Sequence, residues 1–318
     1  MGWICLTWAT RVIESVAVRK PAARQLTVCV DDFGLHDGVN QAVLDLLALG
    51  RISAVSCLVD GPAWVSGSAA LKQAVGTIDQ ASADVGLHLN FTETLDVGAQ
   101  SAHLTMPIGA LIKACYLRQL AVPDLIRDIE RQWDAFEAVW GRAPDFVDGH
   151  QHAHQLPQIR DALAQVLARR YPIHANMAHT QRPWVRQCRA ATWHGLMAGI
   201  GVGDTVKAAV IGALGAHALG RLASQLGLKC TQRLLGVYPF DADGKGYLQR
   251  WQTWLKLVKP QGDLLMCHPA APMTTPPPWP DGIAASRQME HAVLTSDAFA
   301  GMVQASGVRI GRFGRFER

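Results

Sequence analysis

The pattern of apolar and polar residues predicts short buried strands that alternate with helices along most of the chain. The first strand lies within Leu26–Gly34, where five apolar or β-branched residues lead into two adjacent aspartates followed by Phe-Gly. A continuous apolar run of this length is typical of a strand that is buried on both faces. Apolar residues at helical spacing then predict a helix over Asp37–Leu49, which Gly50 should end.

The remaining elements repeat this alternation. Further strands are predicted at Ile52–Val59, Val85–Asn90, Asp145–Gly149, Ile173–Met177, Leu234–Pro239, Asp263–Cys267 and Val308–Phe313. Further helices are predicted at Pro62–Val75, from about Met106 to Gln119, at Asp124–Trp140, Pro157–Arg169, Tyr247–Val258 and near Ser296–Ala305. About eight alternations of strand and helix predict a parallel α/β fold with a barrel-like closure.

Two segments depart from this rhythm. Residues 1–24 have no basic start, and Arg11 and Glu14 interrupt their short apolar stretch, so we expect a poorly ordered or helical extension rather than a secretory signal. Cys188–Cys230 is rich in alanine and glycine and predicts a helical insertion, packed on the barrel or on a second subunit. Residues 25–318 would then form a single domain that carries this insertion at residues 188–230.

Composition excludes several classes of protein. The 318 residues are 49% hydrophobic and 18% charged, which supports a large core and argues against disorder. The net charge is +4 with scattered basic residues, so no nucleic-acid partner is expected. No charge-free apolar run reaches the ~18 residues of a membrane span. The seven cysteines show no paired metal-binding spacing, which fits reduced core thiols and a cytoplasmic location.

Acidic and imidazole side chains recur where predicted strands end. They are Asp31, Asp32, His88, Asp148, His150, His152, His154 and His268. The carboxyl ends of parallel strands meet at one face of the fold, so these groups should gather at one mouth. Two adjacent carboxylates repel one another and persist most easily beside a cation. The alternative is that an aspartate of the pair caps the following helix, a common use of this residue.

The run from Asp148 to His154 places a titratable residue at every second position. In an extended conformation all four would point to one side and span roughly 20 Å. They cannot all reach one ion, because metal–ligand bonds are only ~2.1 Å long. One or two of the four are therefore expected to be ligands, and the others to orient ligands or contact substrate.

Five segments resemble the motifs of the YdjC-like carbohydrate deacetylase family. They are VDDFG, GLHLN, VDGHQHAHQLPQI, LLMCHPA and VLTSDAF, and they occur in this order within residues 26–313. The family includes chitooligosaccharide deacetylases and a branch associated with hopanoid biosynthesis. The resemblance implies an irregular (β/α) barrel, TIM-barrel-like and of the polysaccharide-deacetylase type, which agrees with the predicted strand count.

The resemblance also implies roles for individual residues. It implies one divalent metal ion held by Asp32, His88 and His150, with Asp31 as general base and His268 as general acid. Two imidazoles and one carboxylate leave positions open for a water and a substrate carbonyl. Zinc suits histidine ligation, whereas the resemblance points to magnesium.

This sequence departs from the family pattern at two positions near the aspartates. Val30 replaces the usual small residue before the pair, and His36 replaces the usual serine after FGL. Neither change removes an implied ligand, although His36 can alter the mouth. Asp148, His152 and His154 remain candidates for orienting ligands or contacting substrate.

The expected function is metal-dependent hydrolysis that removes acetyl from an N-acetylated amino sugar, in an N-acetylglucosamine-containing oligosaccharide or glycolipid. One alternative is another metal-assisted hydrolysis, such as phosphoester cleavage. A second is a non-catalytic carbohydrate-binding protein. A homodimer is also expected, since the insertion could bury its small residues against a second copy; otherwise it could line a groove for a lipid-linked substrate.

Overall fold

The computed structural model describes residues 24–77, 80–95, 104–173, 182–191, 195, 199–241, 243–260 and 262–314. Its strands are β1 (Gln25–Phe33), β2 (Ala54–Cys57), β3 (Asp84–Leu89), β4 (Phe146–Gly149), β5 (Trp184–Val185), β6 (Arg233–Leu235), β7 (Asp263–Cys267) and β8 (Arg309–Ile310). Apart from Arg24, the predicted N-terminal extension lies outside the described residues.

The helices lie between these strands. They are α1 (Asp37–Ala48), α2 (Trp64–Val75), α3 (Ile108–Tyr116), α4 (Val122–Trp140), α5 (Ile159–Arg170), α6 (Val202–Ala213), α7 (Ala216–Gln225), α8 (Gly244–Leu257), α9 (Ala284–Thr295) and α10 (Asp297–Ser306). A 3₁₀ helix, His150–Gln155, joins β4 to α5.

All strand pairs in the sheet are parallel, and the order is β5-β4-β3-β2-β1-β7-β6, with β8 paired to β1. Isolated bridges pair Val185 with Cys230 and Ala190 with Leu234, which brings the β5 edge to the β6 edge. The sheet therefore curls towards closure, and the predicted barrel-like α/β fold is confirmed.

Helix α4 shows how the apolar pattern builds the outer layer. Its apolar positions recur every three or four residues, and the predicted buried face is fully confirmed by Leu125, Ile129, Trp133, Phe136 and Trp140. Gly141 ends the helix in the left-handed conformation, with φ of 85°. The apolar face of α4 thus belongs to the main hydrophobic core.

One predicted strand is not described, and two observed elements were not predicted. The strand expected at Ile173–Met177 lies outside the described residues except for Ile173, and β5 at Trp184–Val185 is an additional strand. Helix α9 was not predicted. Its buried face includes Arg287 and Glu290, so the apolar periodicity that marks a helix is interrupted by charge.

Residues 188–230, which were predicted to form a helical insertion, contain α6 and α7, and these helices meet at a bend of 44°. Gln155 and Gln187 of the barrel donate hydrogen bonds to backbone carbonyls of Ile211 and Ala216, so the insertion contacts the barrel. Within the described ranges, no single helix is long and apolar enough to cross a membrane; only the bent pair α6 and α7 has the length and composition together.

Candidate active site

A cavity of about 450 Å³ opens at the carboxyl ends of the strands. It brings together most of the residues singled out in the sequence: Asp31, Asp32, His88, His150, His152 and His268 all line it. Asp148 and His154 are fully buried behind these side chains. The opposite walls are mainly apolar and include Ile211 and Leu214 from the insertion.

A β-bulge directs the two adjacent aspartates. The pairing of β1 with β2 shifts between Val30 and Phe33, where three steps along β1 match two along β2. Asp32 adopts the left-handed conformation, with φ of 72°. A bulge re-aims side chains and ends regular pairing. Both carboxylates therefore line the cavity, yet each has different partners.

Neither aspartate caps α1, because the cap is His36, whose Nδ1 accepts from the backbone N–H of Val39.

Asp32, His88 and His150 each present a possible ligand atom, and these atoms lie within 4.8 Å of one another. Asp32 Oδ1 lies 3.4 Å from His88 Nε2 and 3.0 Å from His150 Nδ1. The second oxygen, Oδ2, accepts a hydrogen bond of 2.8 Å from Arg287. This set of two imidazoles and one carboxylate oxygen, with His150 partly exposed, fits a divalent ion with open coordination positions.

Asp148 orients His88 from behind. Asp148 Oδ1 lies 2.6 Å from His88 Nδ1 and also accepts from the Ser56 hydroxyl. A carboxylate on one imidazole nitrogen directs the other towards a metal. Burial lowers the pKa of His88, but Asp148, Asp32 and Asp31 together outweigh burial and raise it to about 10. A bound cation would have to displace that proton.

The histidine run is not extended, so that expectation was wrong. Residues His150–Gln155 form a 3₁₀ helix in which Gln151 and His152 have φ of 49° and 61°. An extended run would project beyond the sheet without strand partners, whereas the turn satisfies backbone groups internally, as in the Leu156 N–H to Ala153 carbonyl bond of 3.0 Å. His150 consequently reaches Asp32 and the His88 ring. His154 turns away, with its Nε2 2.9 Å from the Arg186 carbonyl.

Arg186 is a central residue that the sequence reading missed. Its guanidinium contacts both oxygens of Asp31 at 2.6 Å, Asp148 at 2.6 Å and Cys29 Sγ at 3.0 Å. Cys29, Asp31 and Asp148 are close enough to resemble a second metal site, but this cation already lies among them. Burial alone would raise the pKa of Asp31; the Arg186 guanidinium reverses this and holds it below its ordinary value.

His268 faces the aspartates from the end of β7. Its Nε2 lies 3.8 Å from Asp31 Oδ2, and its ring meets the Phe240 ring edge-on at 5.4 Å. Burial lowers the pKa of His268 to about 4, against the opposing effect of Asp31 and Asp32. The ring is therefore neutral at pH 7.

Two further residues of the cavity were not anticipated. Arg287 belongs to the unpredicted α9. Glu93 follows β3, and its Oε1 lies 3.7 Å from His150 Nε2. The turn that presents Glu93 is held by Asn90, whose Oδ1 accepts from the backbone N–H of Glu93 at 3.0 Å. Asn90 ends the GLHLN segment, so an asparagine after a strand was the available signal.

The sequence of this chain matches one protein family along most of its length. Residues 25–305 match the family model described as YdjC-like protein. A carbohydrate deacetylase from Homo sapiens is 26% identical over 304 residues, which cover 90% of this chain and 89% of that protein. A chitooligosaccharide deacetylase from Serratia marcescens is 30% identical over 138 residues, 42% of this chain and 52% of that protein.

A carbohydrate deacetylase from Mus musculus is 30% identical over 152 residues, 45% of this chain and 47% of that protein. The chain thus matches about half the length of the mouse and Serratia relatives. A solved structure of a candidate cellobiose-phosphate cleavage protein from Enterococcus faecalis superimposes with a TM-score of 0.61 at 15% identity, over 91% of this chain and 97% of that one. This likeness supports the fold. Since the family model spans most of the described barrel, the chain belongs to the YdjC-like protein family.

Proposed function

We propose that this chain is a metal-dependent hydrolase that removes the acetyl group from an N-acetylated amino sugar. The observation that carries the proposal is the convergence of Asp32, His88 and His150 beside Asp31 and His268 in one cavity. The names of the human and Serratia relatives, a carbohydrate deacetylase and a chitooligosaccharide deacetylase, support the substrate class.

Asp32, His88 and His150 would hold the ion. When bound, such an ion polarises the acetyl oxygen and lowers the pKa of a water molecule towards ~7. Ligand chemistry favours zinc, because imidazole suits it better than magnesium. The family resemblance favours magnesium. Adding each metal to the stripped protein separates the two.

Asp31 and His268 would handle the proton. Arg186 keeps Asp31 ionised, so this carboxylate can accept a proton from the attacking water. Asp31 Oδ2 lies 3.8 Å from His268 Nε2, beyond direct hydrogen-bond distance, so a bridging water or the amine itself would carry the proton between them. His268 can then donate it to the departing amine, which is a poor leaving group unless it is protonated.

An acetate-release assay tests the proposal. The full chain is stripped with a chelator, reloaded with zinc or magnesium, and offered N-acetylglucosamine oligosaccharides and glycolipid-type N-acetylglucosaminides. We expect metal-dependent acetate release that His150→Ala abolishes together with metal uptake. His291→Gln is the matched control, because His291 lies outside the cavity and pairs with Asp45. Release of phosphate from sugar phosphates without acetate release would contradict the proposal and favour phosphoester cleavage.

We also propose a cytoplasmic location. The six described cysteines are free thiols, and five of them are buried. Free thiols of this kind are typical of reducing compartments. Localisation of a tagged full-length chain by fractionation checks this, and recovery in an oxidising compartment would contradict it.

A further inference from the structure

Glu290 is a fully buried carboxylate that the proposed chemistry does not use. It lies on α9, and its Oε2 accepts the backbone N–H of His268 at 2.7 Å. Its Oε1 accepts the hydroxyl of Tyr238 at 2.6 Å. A carboxylate is costly to bury. Its presence here, bonded to the backbone of His268 and to the nearby Tyr238, therefore requires an explanation.

The first backbone donors after β7 both bond to α9. Within His268, Pro269 and Ala270, proline has no N–H, which leaves two donors. The N–H of His268 goes to Glu290, and the N–H of Ala270 goes to the Arg287 carbonyl at 3.0 Å. Both donors of this short segment are therefore satisfied by residues one turn apart on the same helix.

Glu290 is also linked to the His268 ring through two aromatic side chains. Tyr238, fixed by Glu290, packs against Phe240 with ring centroids 4.8 Å apart, and Phe240 meets the His268 ring at 5.4 Å. His268 is thus linked to Glu290 in two ways: directly through its backbone N–H, and indirectly through Phe240 and Tyr238.

This support determines where the imidazole lies relative to Asp31. Cys267, the last residue of β7, pairs with Val30, the residue before Asp31. The distance between Asp31 and His268 therefore depends on the path of the backbone directly after this pair. Arg287, on the same face of α9, binds Asp32 Oδ2. One helix therefore contacts both His268, the proposed acid, and Asp32, a proposed metal ligand.

We propose that Glu290 is a positioning residue that fixes His268 for protonation of the leaving amine. This inference rests on the proposed function. Displacement of a catalytic group by about 1 Å can cost ~10²-fold in rate. Replacement of Glu290 should lower the rates of reactions that need a proton from His268 and leave the rates of other reactions unchanged.

The test compares two leaving groups. Glu290→Leu removes both hydrogen bonds at similar size, and Glu290→Gln keeps groups that can bond to His268 and Tyr238. We expect Glu290→Leu to lower kcat for acetamido-sugar hydrolysis by ~10²-fold with KM little changed. Hydrolysis of 4-nitrophenyl acetate, whose leaving group needs no proton, should change little. Glu290→Gln should recover most of the amide activity.

Asp263→Asn is the matched control at the opposite end of β7. Asp263 is also buried, accepts from Arg233 at 2.8 Å, and accepts the backbone N–H of Lys259 at 2.7 Å. The Asp263→Asn change should lower stability without changing the ratio of the amide hydrolysis rate to the ester hydrolysis rate. Equal loss of amide and ester activity in Glu290→Leu would overturn the positioning role.

Two further measurements keep the outcome decisive. If Glu290→Leu does not fold, Tyr238→Phe removes one hydroxyl only and should lower the amide rate selectively, though less. If the wild-type chain releases no acetate from any sugar, the proposed function fails, and the positioning role is then judged by NMR. The His268 ring resonances should shift in Tyr238→Phe but stay close to wild type in Glu290→Gln, which keeps both contacts, and in Asp263→Asn; unchanged resonances in Tyr238→Phe would overturn it.

Discussion

At the residue scale, the two adjacent aspartates have separate environments. Asp31 is paired with Arg186, whereas Asp32 faces two imidazoles and Arg287. We expect Asp31→Asn to keep its metal content and lower kcat by ~10²–10⁴-fold, as for loss of a general base. Asp32→Asn should lose metal affinity and partly regain activity at high metal concentration. Elemental analysis and steady-state kinetics check both; metal rescue of the Asp31 variant instead would reverse the roles.

A second prediction concerns the buried histidine His154. Burial lowers its pKa to about 4, below the ordinary value of 6.5. Between these values the unfolded state binds more protons, so stability rises with pH across that window and is lost as pH falls from about 6.5 to 4. The full effect is on the order of 3 kcal/mol.

His154→Gln should therefore reduce the pH dependence of the unfolding free energy, because glutamine can keep a bond to the Arg186 carbonyl without titrating. Urea unfolding at pH 7 and pH 4.5 measures this, with His291→Gln, at a partly buried histidine outside the cavity, as the control. The same slope in the wild-type and His154→Gln proteins would refute the assignment.

At the element scale, sequence patterns predicted most strands and helices where an apolar face is continuous, as in α4. They could not predict α9, since Arg287 and Glu290 occupy its inner face and only a folded partner makes their burial tolerable. β5 is only two residues long, too short for a periodic signal. The aspartates and histidines could be predicted because they follow strands that the apolar pattern indicates. Arg186 follows β5, which has no such pattern, so it could not be predicted.

The junction between α6 and α7 gives a third prediction. Gly215 has φ of 147°, and a Cβ there would lie 2.0 Å from the carbonyl oxygen of Gln155 in the 3₁₀ helix. Gly215→Ala should therefore displace the histidine turn and lower both stability and activity. Gly203→Ala in α6 meets open space and should be neutral or stabilising by about 0.4–1 kcal/mol. Thermal unfolding and acetate release check the pair; equal behaviour of the two variants would contradict the packing argument.

At the scale of the whole molecule, the insertion presents two different faces. Ile211 lines the cavity, whereas Val202, Val206 and Val210 are 71%, 56% and 54% exposed at four-residue spacing. The homodimer expected from the sequence remains a prediction, and this valine face is where it would form. Val206→Glu with Val210→Glu should then convert a dimer into a monomer in light scattering. A wild-type chain that is already monomeric at high concentration would refute it.

The bulge in β1 has a consequence for anyone who transplants this chemistry. Deleting one residue between Val30 and Phe33 would restore an ordinary register with β2, and the resulting sheet would be more regular. It would also leave a single carboxylate where two are aimed into the cavity. A designer who grafts the aspartate pair onto an ideal parallel barrel must therefore import the irregular backbone as well, because side chains copied onto a regular strand would point to opposite faces.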